Sequence, residues 1–167
     1  MQRIGDLELP QDLDFQRRSW IVQRIGWAVM ALVLLAGLMG LLGNGPLSIA
    51  TAGRSGSPLQ VQYGRFVRHG GPTQMDILLQ PTAVQEDTAR VWVDREYLRG
   101  IQVERVIPEP ESVEVTADRA VYVFKLNQSD QPASITFYIT PDLIGAYTAR
   151  VGLDNGETLS FRQIVYP

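Results

Sequence analysis

From Ile25 to Leu42 the chain reads IGWAVMALVLLAGLMGLL, and no charged residue follows until Arg54. A helix rising about 1.5 Å per residue needs roughly 20 apolar residues to cross a hydrocarbon core of about 30 Å. Starting at Trp20 supplies the extra turn, so the run predicts a transmembrane helix over 20–44. The remainder of the 167 residues is enough for one further domain of ordinary size.

The flanking charges give the helix a direction. Arg17, Arg18 and Arg24 crowd its N-terminal side, whereas only Arg54 lies within the corresponding distance of the other end. The positive-inside rule then makes residues 1–19 a cytoplasmic tail and puts the C-terminal domain outside, with Trp20 and Trp27 toward the inner interface. A cleaved signal peptide is the rival, because Ala50-Thr51-Ala52 forms an A-x-A pattern. Against it, the apolar run exceeds the roughly 7 to 15 residues of a signal core. The tail also carries Asp6, Glu8, Asp12 and Asp14, and the A-x-A lies well beyond the run. Within the helix, Ala36 and Gly40 form a small-xxx-small pair, and Gly37 and Gly43 add small surface. These four are candidates for close packing against another helix.

Residues 45–58 are rich in Gly, Ser and Pro and read as a flexible tether. From Leu59 the pattern changes to short runs rich in valine, isoleucine and aromatics, separated by turn signals such as His69-Gly70-Gly71-Pro72 and Asp154-Asn155-Gly156. That pattern predicts an all-β antiparallel sandwich or barrel over 59–167. Nine runs are candidate strands: 59–67, 74–79, 89–94, 102–107, 112–117, 120–126, 133–140, 146–153 and 158–166. In 120–126 both faces are apolar, which predicts a central strand.

One segment resembles an immunoglobulin-like sandwich. In Pro141-Asp142-Leu143-Ile144-Gly145-Ala146-Tyr147-Thr148-Ala149 an acid, a glycine and a tyrosine precede a strand that turns into the last one. This is similar to a tyrosine corner, with Ala149 where such domains place a disulfide cysteine; the acid stands one residue out of place. The resemblance implies that Trp92 is the buried core tryptophan. The phrases Phe15-Gln16-Arg17-Arg18-Ser19-Trp20-Ile21-Val22-Gln23-Arg24-Ile25-Gly26-Trp27, Val91-Trp92 through Ile107-Pro108-Glu109-Pro110, and Val165-Tyr166-Pro167 also resemble a group of small bacterial single-pass membrane proteins. That second resemblance implies the same anchor-plus-domain layout in a bacterial plasma membrane and carries no activity with it.

Chemistry is hard to find. The chain has no cysteine and one histidine, His69, in a glycine-rich turn, so blue-copper, thiolate and most structural zinc sites lack ligands. Gly53-Arg54-Ser55-Gly56-Ser57 superficially resembles a nucleophile elbow but sits in the tether. The carboxylates Asp94 with Glu96, and Glu109, Glu111 and Glu114, are neighbours near turns and read as solvated faces. Net charge is −3 with no concentrated basic face, which argues against nucleic acid. Asp94-Arg95-Glu96-Tyr97-Leu98-Arg99 is the most charged and aromatic loop, and Arg95, Tyr97 and Arg99 are the interaction candidates. The expectation is a non-enzymatic accessory or scaffold subunit, without catalytic residues, metal or cofactor, whose partners are the bilayer and another membrane protein. A ligand-binding or sensing module for an outer solute is the alternative.

Overall fold

The computed structural model describes residues 13–38, 48–84, 87–126, 131–154 and 156–167. The chain divides into two units, Met1–Leu38 and Met39–Pro167. In the first, α1 runs over Leu13–Leu38. The stretch Gln16–Leu38 is long and apolar enough to cross a membrane, with a mean hydropathy of 1.9 in its most apolar window. Its helix begins seven residues before Trp20, inside the expected tail, because Gln16, Arg17 and Arg18 are good helix formers and a helix does not end where hydrophobicity does. Arg24 lies one turn beyond Trp20 and places its guanidinium 4.2 Å from the indole centroid. Ala36 and Gly37 are half-buried within the helix's own surroundings, whereas Gly40 and Gly43 fall outside the described residues.

The second unit is a two-layer β-sandwich. Its strands are β1 (Ile49–Ala52), β2 (Leu59–Gly64), β3 (Phe66–Arg68), β4 (Thr73–Leu79), β5 (Thr88–Asp94), β6 (Ile101–Ile107), β7 (Ser112–Val115), β8 (Arg119–Lys125), β9 (Ala133–Pro141), β10 (Gly145–Leu153) and β11 (Thr158–Tyr166). A short helix α2 (Arg95–Leu98) joins β5 to β6, and a 3₁₀ turn covers Pro81–Ala83. One sheet has the order β1-β2-β4-β9-β6 and the other β3-β11-β10-β5-β8-β7. All pairings are antiparallel except β11 with β3. Eight of the nine expected runs each correspond to one strand.

Alternation builds the interior. Leu59, Val61 and Tyr63 of β2, Met75, Ile77 and Leu79 of β4, and Ile135, Phe137 and Ile139 of β9 turn inward from the first sheet. Val91 and Val93 of β5, Ala120, Tyr122 and Phe124 of β8, and Ala149 and Val151 of β10 meet them from the second. Aromatic pairs bridge the layers: Tyr63 on Phe161 at 4.1 Å between centroids, and Tyr122 edge-on to Phe137 at 5.0 Å. The other face of β8 is covered too, as Val121 and Val123 are buried outside the core cluster.

Three expectations are corrected. The stretch 45–58 is not a tether throughout: Ile49–Ala52 forms β1, antiparallel to β2, with Ala50 opposite Tyr63 and buried. The stretch Gly53–Pro58 is the turn that returns the chain to β2; at Gly53, φ is +98° and an added Cβ would stand 2.7 Å from the Leu59 carbonyl oxygen. The run 59–67 is two strands, since the chain leaves the first sheet after Gly64 and enters the second at Phe66. Trp92 is buried, but on the outer face of its sheet, because Val91 and Val93 take the inward positions.

Candidate functional site

Strands β6 and β7 are edges of opposite sheets, and successive in the chain. Ile101 and Val103 of β6 and Val113 and Val115 of β7 take inward positions, opposite Pro141, Ile139, Tyr122 and Ala120. The layers do not close over them. A groove of about 290 Å³ remains, lined by these four, Ala120 and Tyr122 of β8, and Arg95, Leu98 and Arg99 of the α2 segment. Val113 and Val115 are consequently 45% and 62% exposed although their register points them at the core. Burial raises the pKa of the Tyr122 phenol above its ordinary range.

The α2 segment forms one end of this groove and is firmly held. Asp94 caps it: Oδ1 accepts the Glu96 amide at 2.9 Å, while Oδ2 accepts Arg150 Nε at 2.6 Å. The Arg95 amide donates to the Asp118 carbonyl at 3.0 Å, and Arg95 Nη1 donates to the Thr116 carbonyl at 2.9 Å, pinning α2 to the end of β7. Tyr97 points inward. Its hydroxyl donates to Gln163 Oε1 at 2.8 Å, and Gln163 Nε2 donates to the Gly64 carbonyl at 2.9 Å. This buried polar chain joins α2 to β11 and β2, and burial pushes the Tyr97 phenol far above its usual pKa.

The interaction candidates therefore separate. Arg95 and Arg99 stand at the groove, Arg99 exposed and without an acidic partner among the described residues. Tyr97 is 1% exposed and serves the interior. Of the helix-packing candidates, Ala36 and Gly37 belong to the first unit, and Gly40 and Gly43 lie outside the described residues. Sequence reading missed the groove itself. Its trace is the shortness of Ser112–Val115, four residues with valine at alternate positions, beside the seven of β6.

The two lips differ. β6 has a bulge between Val103 and Arg105, and Glu104 accepts the Thr140 hydroxyl. β7 pairs with β8 in unbroken register. On its outer side Arg90 reaches Glu114 at 2.9 Å and Asp154 at 3.0 Å, and both acids raise the guanidinium pKa, Glu114 foremost. The segment that connects β6 to β7 carries the exposed acids Glu109 and Glu111, which do not line the groove.

No three His, Asp or Glu side chains converge to hold a metal among the described residues. His69 is exposed, with Nε2 3.0 Å from the Asp142 carbonyl oxygen. Asp94 is occupied by its cap and ion pair, Glu114 by Arg90, and the Ser57 hydroxyl donates to the Leu59 carbonyl. Tyr147 lies half-buried with its ring against Gly100, and its hydroxyl makes no corner hydrogen bond among the described residues.

No protein-family model matches the chain, and no curated protein matches it. A similar solved structure is the cohesin module from a family 33 glycoside hydrolase of Clostridium perfringens. It has 14% identity and a TM-score of 0.39, covering 70% of this chain and 98% of that one.

Proposed function

We propose that this chain is a non-enzymatic, membrane-anchored accessory subunit whose β-sandwich docks another envelope or integral membrane protein. The observation that carries the reading is the open groove: side chains at core positions, Val113 and Val115, left half-exposed beside an unpaired edge strand. Such a surface is satisfied by association. Elsewhere the polar interior is complete, since no buried side-chain nitrogen or oxygen lacks a partner among the described residues.

Anchoring is supported by where β1 lies. Cleavage at the A-x-A after Ala52 would sever β1 from the chain and uncover β2. An uncleaved α1 retains it. The arginine asymmetry favours an N-terminus in the cytoplasm, and the resemblance to small bacterial single-pass proteins favours a plasma membrane.

The test is purification of the full chain from its native membrane in mild detergent, with co-purifying proteins quantified. One membrane protein at fixed stoichiometry supports the reading, and its loss on Gly40→Leu would assign the contact to the helix. A chain that purifies alone contradicts it and favours a solute-binding module, for which the groove is near the lower end of the roughly 300–1,000 Å³ of ligand sites.

A further inference from the structure

We infer that the end of the sandwich at which the chain enters is seated on the bilayer, with Leu143 and Ile144 inserted at the headgroup boundary and arginines on the lipid phosphates around them. The inference rests on the membrane-anchored reading and adds a contact apart from the groove. Three observations lead to it.

First, the turns at this end form one platform with an apolar tip. The Arg65 amide donates to the carbonyl of Ser48, where the chain enters, and the Ile164 amide donates to the Arg65 carbonyl at 2.7 Å. The Gly70 amide donates to the Pro141 carbonyl at 2.9 Å, and the Asp142 amide to the Gly100 carbonyl at 3.0 Å. The β9–β10 turn is therefore held from two sides, yet it presents Leu143 and Ile144 at 54% and 57% exposure. Ile49, which opens β1, and Ile164, paired with Phe66, are exposed at the same end. Aliphatic side chains gathered on a fixed surface mark a contact, where singly scattered ones do not.

Second, free cations surround the tip. Arg65, Arg68 and Arg99 are exposed, and none has an acidic partner among the described residues. Of the acids in the turns at this end, Asp94 is paired with Arg150 and Asp118 with Arg119. Glu96 is offset by Arg95 in the same helix, which leaves three arginines against Asp142. The turns at the opposite end carry Asp87, Glu109, Glu111 and Glu157 against Arg54 and Lys125, with Asp154 already paired to Arg90. Only the entry end therefore complements a surface of phosphates.

Third, the covalent chain selects the occupant. The apolar run stops at Leu42, so residues 43–47 alone separate it from Ser48. Fully extended, they reach about 18 Å. With the run in a bilayer, lipid headgroups are the constant neighbour of this end, and a protein partner would have to displace them. Aliphatic side chains at the headgroup boundary with guanidinium groups beside them are what an interfacial contact requires.

The experiment uses the full chain, one copy per nanodisc of phosphatidylcholine and phosphatidylglycerol. The chain has no cysteine, so Ile144→Cys and, at the opposite end, Glu109→Cys each take a single small fluorophore. Lipids brominated on their acyl chains should quench the label at 144 and spare the label at 109, and aqueous iodide should do the reverse. Leu143→Glu should abolish the lipid quenching at 144, as should Arg65→Glu combined with Arg68→Glu. All these positions are exposed, and an unchanged circular dichroism spectrum verifies folding. Equal iodide access to both labels overturns the inference, as does lipid quenching that survives the arginine reversal. Protection of the 144 label in vesicles holding many copies but not in single-copy discs assigns the tip to a second copy and also overturns it. A chain that does not enter the discs contradicts the anchored reading itself. A chain that enters them and leaves the 144 label in water removes this contact alone.

Discussion

The apolar residues of α1 and those of the sandwich interior are chemically alike and meet opposite fates. Leu32, Leu34 and Leu38 of α1 are 68%, 63% and 79% exposed, whereas Leu59, Ile77 and Leu79 are fully buried. Sequence period is the difference. β2 and β4 alternate, so one face can be hidden against a second sheet, while Ile25–Leu38 is apolar around the whole helix and has no face to leave in water. The first arrangement supplies its own nonpolar surroundings. The second is long and apolar enough for a bilayer to supply them.

The sharpest way to break this comparison is paired truncation. Phe137→Ala removes a fully buried ring and should destabilise the sandwich by about 3–5 kcal/mol. Leu34→Ala in α1 should leave the sandwich's thermal unfolding in detergent unchanged. Equal effects would mean that the helix packs on the domain as part of one core.

A second substitution probes a region that belongs neither to α1 nor to the inner core. On the outer face of its sheet, Trp92 donates its indole N–H to the Leu153 carbonyl at 3.2 Å and has Arg119 4.7 Å from its ring centroid. A Cβ at Gly152 would stand 2.6 Å from that ring. Gly152→Val should therefore cost about 1–3 kcal/mol, measured by denaturant unfolding, and quench or shift the Trp92 fluorescence. An unperturbed spectrum would show that the indole does not lie over Gly152.

Smaller effects sharpen the contrast inside the domain. Tyr97→Phe deletes the hydroxyl that donates to Gln163 and should destabilise by about 1–2 kcal/mol. Because burial raises the folded pKa of Tyr97 above its unfolded value, its neutral form stabilises the fold at all pH below about 10. That contribution is lost as pH rises past the unfolded pKa. Stability measured from pH 8 upward should fall above about 10, and the fall should be shallower in Tyr97→Phe. Smallest of all is Asp118, a fully exposed carboxylate held below its usual pKa first by the Thr116 hydroxyl. Asp118→Asn should leave the denaturant midpoint at neutral pH unchanged within experimental error.

Much of this architecture is legible residue by residue. Alternation located eight of the nine expected strands as single elements, and the same parity rule places Trp92 beside Arg90 and Asp94, on the face away from Val91 and Val93. The outward tryptophan was thus readable in its own strand, and the analogy to a core tryptophan obscured it. β1 was not readable, because Ile49-Ala50-Thr51-Ala52 has no strong period and becomes a strand through pairing with Val61–Gly64. The inward turn of Tyr97 depends on Gln163, 66 residues later. Likewise, Val113 and Val115 show their parity in sequence, but their exposure follows from β7 being an edge, which only the strand order reveals.

The most direct measurement is the fate of the N-terminus in cells. The membrane pellet, washed with alkaline carbonate, is analysed for the intact mass of the chain and for protease access to the sandwich from outside the cytoplasm. The account predicts a full-length, carbonate-resistant chain that keeps α1 and β1, with residues of the sandwich accessible from outside. A soluble chain beginning after Ala52, or a sandwich shielded on the cytoplasmic side, would contradict it.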